Sequence, residues 1–156
     1  CSIEFQPRDI GHGKKSCDNI FEYENLRIGV EITTISTNNE KSLPLKIQNI
    51  FENKGQEQIE GINGLLVIDI SSSCEQYFDN SVKKFKVNVP SFDIICKLAR
   101  EELDKEENQH LIGVVVLANF IAVFDSKASI TWEIRLLENT NNSSSSEAIK
   151  LLTNPS

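Results

Sequence analysis

Methionine is absent from this 156-residue chain, and position 1 is cysteine. Translation begins at methionine, so the expectation is an N-terminal truncation or an excised domain. Histidine is scarce, with only His12 and His110, and the four cysteines, Cys1, Cys17, Cys74 and Cys96, lie far apart with no Cys-x-x-Cys spacing. A structural zinc site gathers four closely spaced thiolates or imidazoles, so this usage argues against one. Free thiols in a reducing, cytoplasmic compartment fit it better. No apolar run approaches the ~18 residues of a membrane-spanning helix, and the start lacks the basic-then-apolar build of a signal peptide. The longest apolar stretch, Leu111 to Ala118, is the length of a buried strand. No Gly-x-Gly-x-x-Gly or phosphate-cradling loop follows any strand-like run, which argues against the standard nucleotide sites.

Positive charge is also in deficit. Sixteen Lys and Arg against 23 Asp and Glu give a net charge of −7. Because Lys and Arg neutralising phosphates supply most non-specific nucleic-acid affinity, broad capture of a polyanion is disfavoured. Local basic clusters remain at Lys14 and Lys15, and at Lys83, Lys84 and Lys86. What is present suits a globular chain: 39% hydrophobic and 25% charged residues, at a length that supports one domain with a real core.

The densest signal lies between Cys17 and Ser36, which reads as two short β runs joined at Glu24-Asn25. With that turn, cross-strand partners have numbers summing to 49, so Tyr23 faces Leu26, Glu22 faces Arg27, Phe21 faces Ile28 and Asn19 faces Val30. Glu22 and Arg27 form an opposite-charge pair, then Ile20 faces Gly29, and the next pair on that face is Asp18 and Glu31. Opposed side chains hold their Cβ atoms about 4.5–5.5 Å apart, and like charges there repel. Two such carboxylates need a cation, a shared proton or water. A hard divalent ion such as Mg²⁺ takes one or two carboxylates together with water and phosphate. Thr33 lies on the same face as Glu31. A single β-bulge between Asp18 and Glu31 would send them to opposite faces.

Around this hairpin, residues 1–16 read as an entering loop, with Glu4 the remnant of an earlier element. Ser42 is placed to cap a helix with Pro44 in its first turn. Leu43, Ile47, Ile50 and Phe51 give that helix one apolar stripe, bordered by Lys46, and it ends near Lys54-Gly55. A buried strand at Gly64–Ile70 follows, ending in Asp69 and three serines. Residues 74–90 read as irregular, with a short strand at 84–89. Ser91 caps a second helix whose tail, 101–107, is strongly charged. After the strand 111–118 comes a hairpin, 120–125 and 129–137, turning about Ser126-Lys127. In its last strand Ile130, Trp132, Ile134 and Leu136 alternate with Thr131, Glu133 and Arg135, which predicts one buried and one wet face. Residues 138–147, with serines at 143–146, read as flexible and low in complexity, and 148–156 as a segment that either returns to pack or frays, so that 138–156 is taken as a polar tail. The expected fold is α/β: three layers, α/β/α, with a central mixed sheet, in one domain spanning 1–137.

Over residues 14–118 the chain resembles the restriction-endonuclease-like nuclease superfamily, known by its PD-(D/E)XK motif. Asp18 stands for the motif Asp, Glu31 for the (D/E), Ile32 for the X and Thr33 for the Lys. Ile28-Gly29-Val30-Glu31-Ile32-Thr33 is similar to the Ile-Gly-x-Glu-x-Thr wording of a group of nuclease-like proteins, and Asn154-Pro155 to the Asn-Pro near their ends. The resemblance implies a hairpin carrying metal ligands, then helix, strand, helix, strand. It implies Asp18, Glu31 and the Ile32 carbonyl as ligands of Mg²⁺ or Mn²⁺, and hydrolysis of phosphodiester bonds in DNA, with RNA second. Cys17 replaces the motif Pro and Thr33 the motif Lys. Some branches carry the lysine on the following helix, where Lys46 is the candidate, with Gln48 beside it. The implied catalytic set is therefore Asp18, Glu31, Thr33 and Lys46. Two other readings stay open. One is an inactive nuclease-fold module binding nucleic acid or protein. The other is a small α/β interaction domain of immunity or adaptor type. A homodimer is compatible with all three, and no membrane is implied.

Overall fold

The computed structural model describes residues 2–4, 18–23, 26–36, 39–56, 59, 62–73, 75–81, 84–88, 91–124 and 127–153. Among these residues eight strands and three α-helices follow in the order β1 (Ser2–Glu4), β2 (Asn19–Tyr23), β3 (Leu26–Thr34), α1 (Leu43–Ile50), β4 (Asn63–Asp69), β5 (Glu75–Asp79), β6 (Lys84–Asn88), α2 (Phe92–Leu103), β7 (Leu111–Phe124), β8 (Lys127–Glu138) and α3 (Ser145–Thr153). The six-stranded sheet has the order β1-β2-β3-β4-β7-β8, and β5 and β6 pair separately. The sheet is mixed: β3-β4 and β4-β7 are parallel, whereas β1-β2, β2-β3 and β7-β8 are antiparallel.

The β2-β3 register runs Asn19↔Val30, Ile20↔Gly29, Phe21↔Ile28, Glu22↔Arg27 and Tyr23↔Leu26, as the hairpin reading requires. Glu22 and Arg27 form their ion pair at 3.0 Å. Glu4, read as a remnant, belongs to β1 and sits opposite Ile20.

Helices cover both sides of the sheet. On one side Leu43, Ile47 and Phe51 meet Phe92, Ile95, Ala99 and Leu103 over Leu66, Ile68, Val114 and Val116. On the other, Ala148 of α3 joins Ile28, Val30, Leu65 and Ile112. A β-bulge in β7 makes this possible. Gly64 pairs with Leu111 but Leu65 pairs with Gly113, so Ile112 is an extra residue. Leu111 and Val114 thereby both face the larger core while Ile112 faces α3. At Gly113 a Cβ would lie 2.7 Å from the Leu137 carbonyl oxygen, and backbone cannot yield as a side chain does. Gly113→Ala is expected to destabilise the fold by about 1–3 kcal/mol, read as a lower urea midpoint at unchanged slope.

Several expectations need correction. Ser42 precedes α1, but its hydroxyl donates to the Asn39 carbonyl (2.8 Å) rather than capping, because a 3₁₀ turn, Glu40–Ser42, leads into the helix. Ser91 precedes α2 without a side-chain cap and contributes its carbonyl, accepting from Ile95 N–H at 2.8 Å. Residues 75–79, read as irregular, form β5. Residues 111–124 are one strand, continuous through Asn119. Where serines suggested a tail, residues 145–153 form α3, with Ala148 fully buried. The alternating apolar residues of β8 are not buried either: Ile130, Trp132 and Ile134 are 65, 56 and 61% exposed, and the buried Leu137 belongs to the opposite face. Alternation identifies residues that share a face, but not whether another layer covers it. Cys1, Cys17, Cys74, His12, Lys14, Lys15, Lys83, both residues of the Glu24-Asn25 turn, Ser126 and Asn154-Pro155 lie outside the described residues.

Candidate functional site at the open end of the hairpin

Asp18 immediately precedes β2, and β3 carries Glu31 beside it. The Asp18 peptide N–H donates to Glu31 Oε2 at 3.0 Å, and the Ile32 N–H donates to Asp18 Oδ2 at 3.0 Å. Each acidic side chain thus accepts from the opposite strand's backbone, and Asp18 supplies by side chain the acceptor a continued strand would have supplied by carbonyl. In an extended strand a residue's N–H and C=O point to the same side. The Ile32 carbonyl therefore opens toward Asp18.

Glu31 is wholly buried, whereas Asp18 is exposed. Pleating sends Glu31 to the same side as Gly29 and Ile35, toward the core beneath α1. An isolated carboxylate there would cost several kcal/mol. The compensation comes from Lys54, whose ammonium donates to Glu31 Oε1, with side-chain exposures of 32% for Lys54 and 0% for Glu31. Lys54 reaches this position from a π-helical turn, Phe51–Gln56, that prolongs α1. Both carboxylate oxygens of Glu31 are therefore bonded, one to a cation and one to a peptide N–H.

The site thus joins Asp18, Glu31 and Ile32 with a lysine that the sequence reading did not select. Lys46 points elsewhere, its Nζ donating to the Ser36 carbonyl at 3.1 Å beyond the end of β3. Gln48 bonds Glu52 along the helix surface at 2.8 Å. Thr33 lies half-buried on Glu31's face, one pleat on. Asp69 closes the turn after β4, accepting from the N–H and hydroxyl of Ser71 at 2.8 and 2.5 Å. A signal for Lys54 did exist. Leu43, Ile47, Ile50 and Lys54 are spaced 4-3-4, so the lysine continues the apolar stripe. A cation on a core-facing stripe and a carboxylate in an apolar strand each imply the other.

Among the described residues no group of three or more His, Cys, Asp or Glu side chains is placed to hold a metal ion. The available donors are the two carboxylates and the Ile32 carbonyl, all hard oxygens. Away from this site, burial pushes the Cys96 thiol above its ordinary range while nearby Arg135 opposes the shift. Among the described residues no helix is long and apolar enough to cross a membrane.

Compared with protein-family models, curated proteins and solved structures, the chain gives no significant match. The class its own geometry defines is an α/β protein with a mixed sheet, helices on both faces, and a buried carboxylate–ammonium pair next to an exposed aspartate.

Proposed function

We propose that this chain is a metal-dependent nuclease of restriction-endonuclease-like architecture, acting on phosphodiester bonds in DNA at Asp18, Glu31 and Lys54. The observation that carries this reading is the fully buried Glu31, paired with Lys54 at the mouth of the hairpin where Asp18 is exposed. Ion pairs of this kind often contribute less to stability than an apolar substitute would. Retaining one in an otherwise apolar layer favours a chemical use. The element order supports the reading too, with a carboxylate-bearing hairpin followed by helix, parallel strand, helix and parallel strand.

The donor set suits Mg²⁺ or Mn²⁺, which take oxygen ligands and need only one or two carboxylates. Asp18, Glu31 and the Ile32 carbonyl would hold the ion. When bound, it supplies an activated water and charge neutralisation at a phosphate. Lys54 takes the role the resemblance assigned to Lys46. Its ammonium orients an attacking water and offsets charge developing on the phosphate oxygens, while Thr33 offers a hydroxyl on the same face. The expected result is Mg²⁺- or Mn²⁺-dependent nicking of plasmid DNA, lost in Glu31→Ala. Asp18→Asn, at an exposed position, is the variant that keeps the core intact, and it too should lose cleavage. Undiminished cleavage by Asp18→Asn, or none by the wild type with either ion, would overturn the reading.

One observation favours a second reading, the inactive module. Both carboxylates are already bonded within the chain, on a protein of net charge −7. Salt-dependent DNA binding without cleavage would be its signature.

A further inference from the structure

The edge of the sheet opposite this site carries an uncovered apolar strip. Ile130, Trp132, Ile134 and Leu136 of β8 alternate onto one face, with Ile121 of β7 opposite Ile130. Their exposures run from 37 to 65%. Together they form a patch on the order of 500 Å², at the upper end of what monomers carry. It lies on the face covered elsewhere by α3, beyond the reach of that helix. β8 is also the last strand in the sheet order, so its outer backbone has no strand partner among the described residues. A long, open, apolar edge is a template for pairing with another strand.

We infer that β8 pairs antiparallel with β8 of a second copy of this chain, about a two-fold axis through Ile134. Charge selects both occupant and register. In a self-paired antiparallel edge, opposed residues point to the same side, so registers that keep the two apolar strips on one face pair residues of equal parity. Centring on Glu133 opposes Glu133 to itself, and centring on Arg135 opposes Arg135 to itself; both arrangements repel. Centring on Ile134 places Glu133 against Arg135 of the second copy, twice by symmetry, with Trp132 against Leu136 twice and Ile134 against Ile134. This is the self-complementarity an isologous interface demands.

Arg135 is prepared for such a contact. Its guanidinium lies 5.2 Å from the Phe92 ring centroid and bonds Asp93 at 2.8 Å, which fixes its direction. A guanidinium has five N–H donors, more than Asp93 takes.

Sedimentation velocity of the full chain tests this, with a dimer of twice the 17.6 kDa chain mass expected. Trp132, the chain's single tryptophan, should shift its emission to the blue as concentration rises. Ile134→Lys sets two ammonium groups at the axis and should give monomers with unchanged far-UV circular dichroism, the position being 61% exposed. Glu133→Arg should weaken association by roughly tenfold by turning two attractions into repulsions, and adding Arg135→Glu should restore it in part. Mild oxidation should cross-link Ile134→Cys across the axis, above the wild-type background from native thiols, and leave Glu133→Cys largely uncross-linked. Opposed Cα atoms at ~4.5–5.5 Å suit a disulfide. A wild type that stays monomeric at 100 µM, dimerisation unaffected by Ile134→Lys, or equal cross-linking of the two cysteine variants would overturn the inference.

Discussion

Lys54→Met is expected to lower the unfolding free energy by about 3–5 kcal/mol, because it leaves a buried carboxylate without its counter-charge. Glu31 has no exposed side-chain surface, so water cannot replace the ammonium without local opening of the structure. The 32% exposure of the Lys54 side chain lets solvent share its charge and points to the lower end of that range. The double variant Glu31→Gln/Lys54→Met should recover most of the loss. A neutral amide needs no counter-ion and still offers an oxygen to the Asp18 N–H. Urea unfolding of the wild type, the single variant and the double variant measures this directly, provided the slopes agree. A loss below about 1 kcal/mol in Lys54→Met would mean that the carboxylate is hydrated in solution, contrary to the packing seen around it.

Asn139→Ala should cost about 2–4 kcal/mol, through several hydrogen bonds lost at once in a buried place. Asn139 follows β8 and is fully buried. Its Nδ2 donates to the Leu111 carbonyl at 2.8 Å and the Asn108 carbonyl at 3.3 Å, and its Oδ1 accepts from Asn141 N–H at 3.0 Å. The side chain thus ties the entry of β7 to the turn before α3, beside the Ile112 bulge. Asn139→Asp should be worse still, because an acceptor-only group would then face two carbonyl oxygens. Calorimetric midpoints should fall in the order wild type, Ala, Asp. An Asp variant as stable as the wild type would refute the assigned amide orientation.

The hairpin was legible because its constraints are local and mutually consistent. A two-residue turn, an opposite-charge pair at Glu22 and Arg27, and parity between Phe21 and Ile28 all select one register. Both crossover helices and the strands they connect were legible from periodicity, since Leu43-Ile47 and Phe92-Ile95-Ala99 recur at helical spacing. The spacing put Lys54 on the apolar stripe, but its contact with Glu31 was not legible, because the approach depends on a turn wider than α-helical, which residue spacing alone does not specify. The helix at 145–153 was hidden by a serine run whose weak propensity is overridden when Ala148 docks on the sheet. For β8 the pattern itself was read correctly. Burial of its apolar face, however, requires a second layer, and that layer's presence is a tertiary fact.

The wide turn at Phe51–Gln56 makes the ion pair at Glu31 a matter of chain length as much as of residue choice. A π-helical turn holds about one residue more than an α-helical one, and such turns cluster where side chains must be aimed. Removing a single residue there would rewind the segment and swing everything after it by ~100°. The ammonium would leave the carboxylate although no side chain of the site had been altered. An insertion or deletion in this short segment, invisible to any position-by-position comparison of the paired residues, would therefore suffice to make or break the Glu31–Lys54 pair during descent.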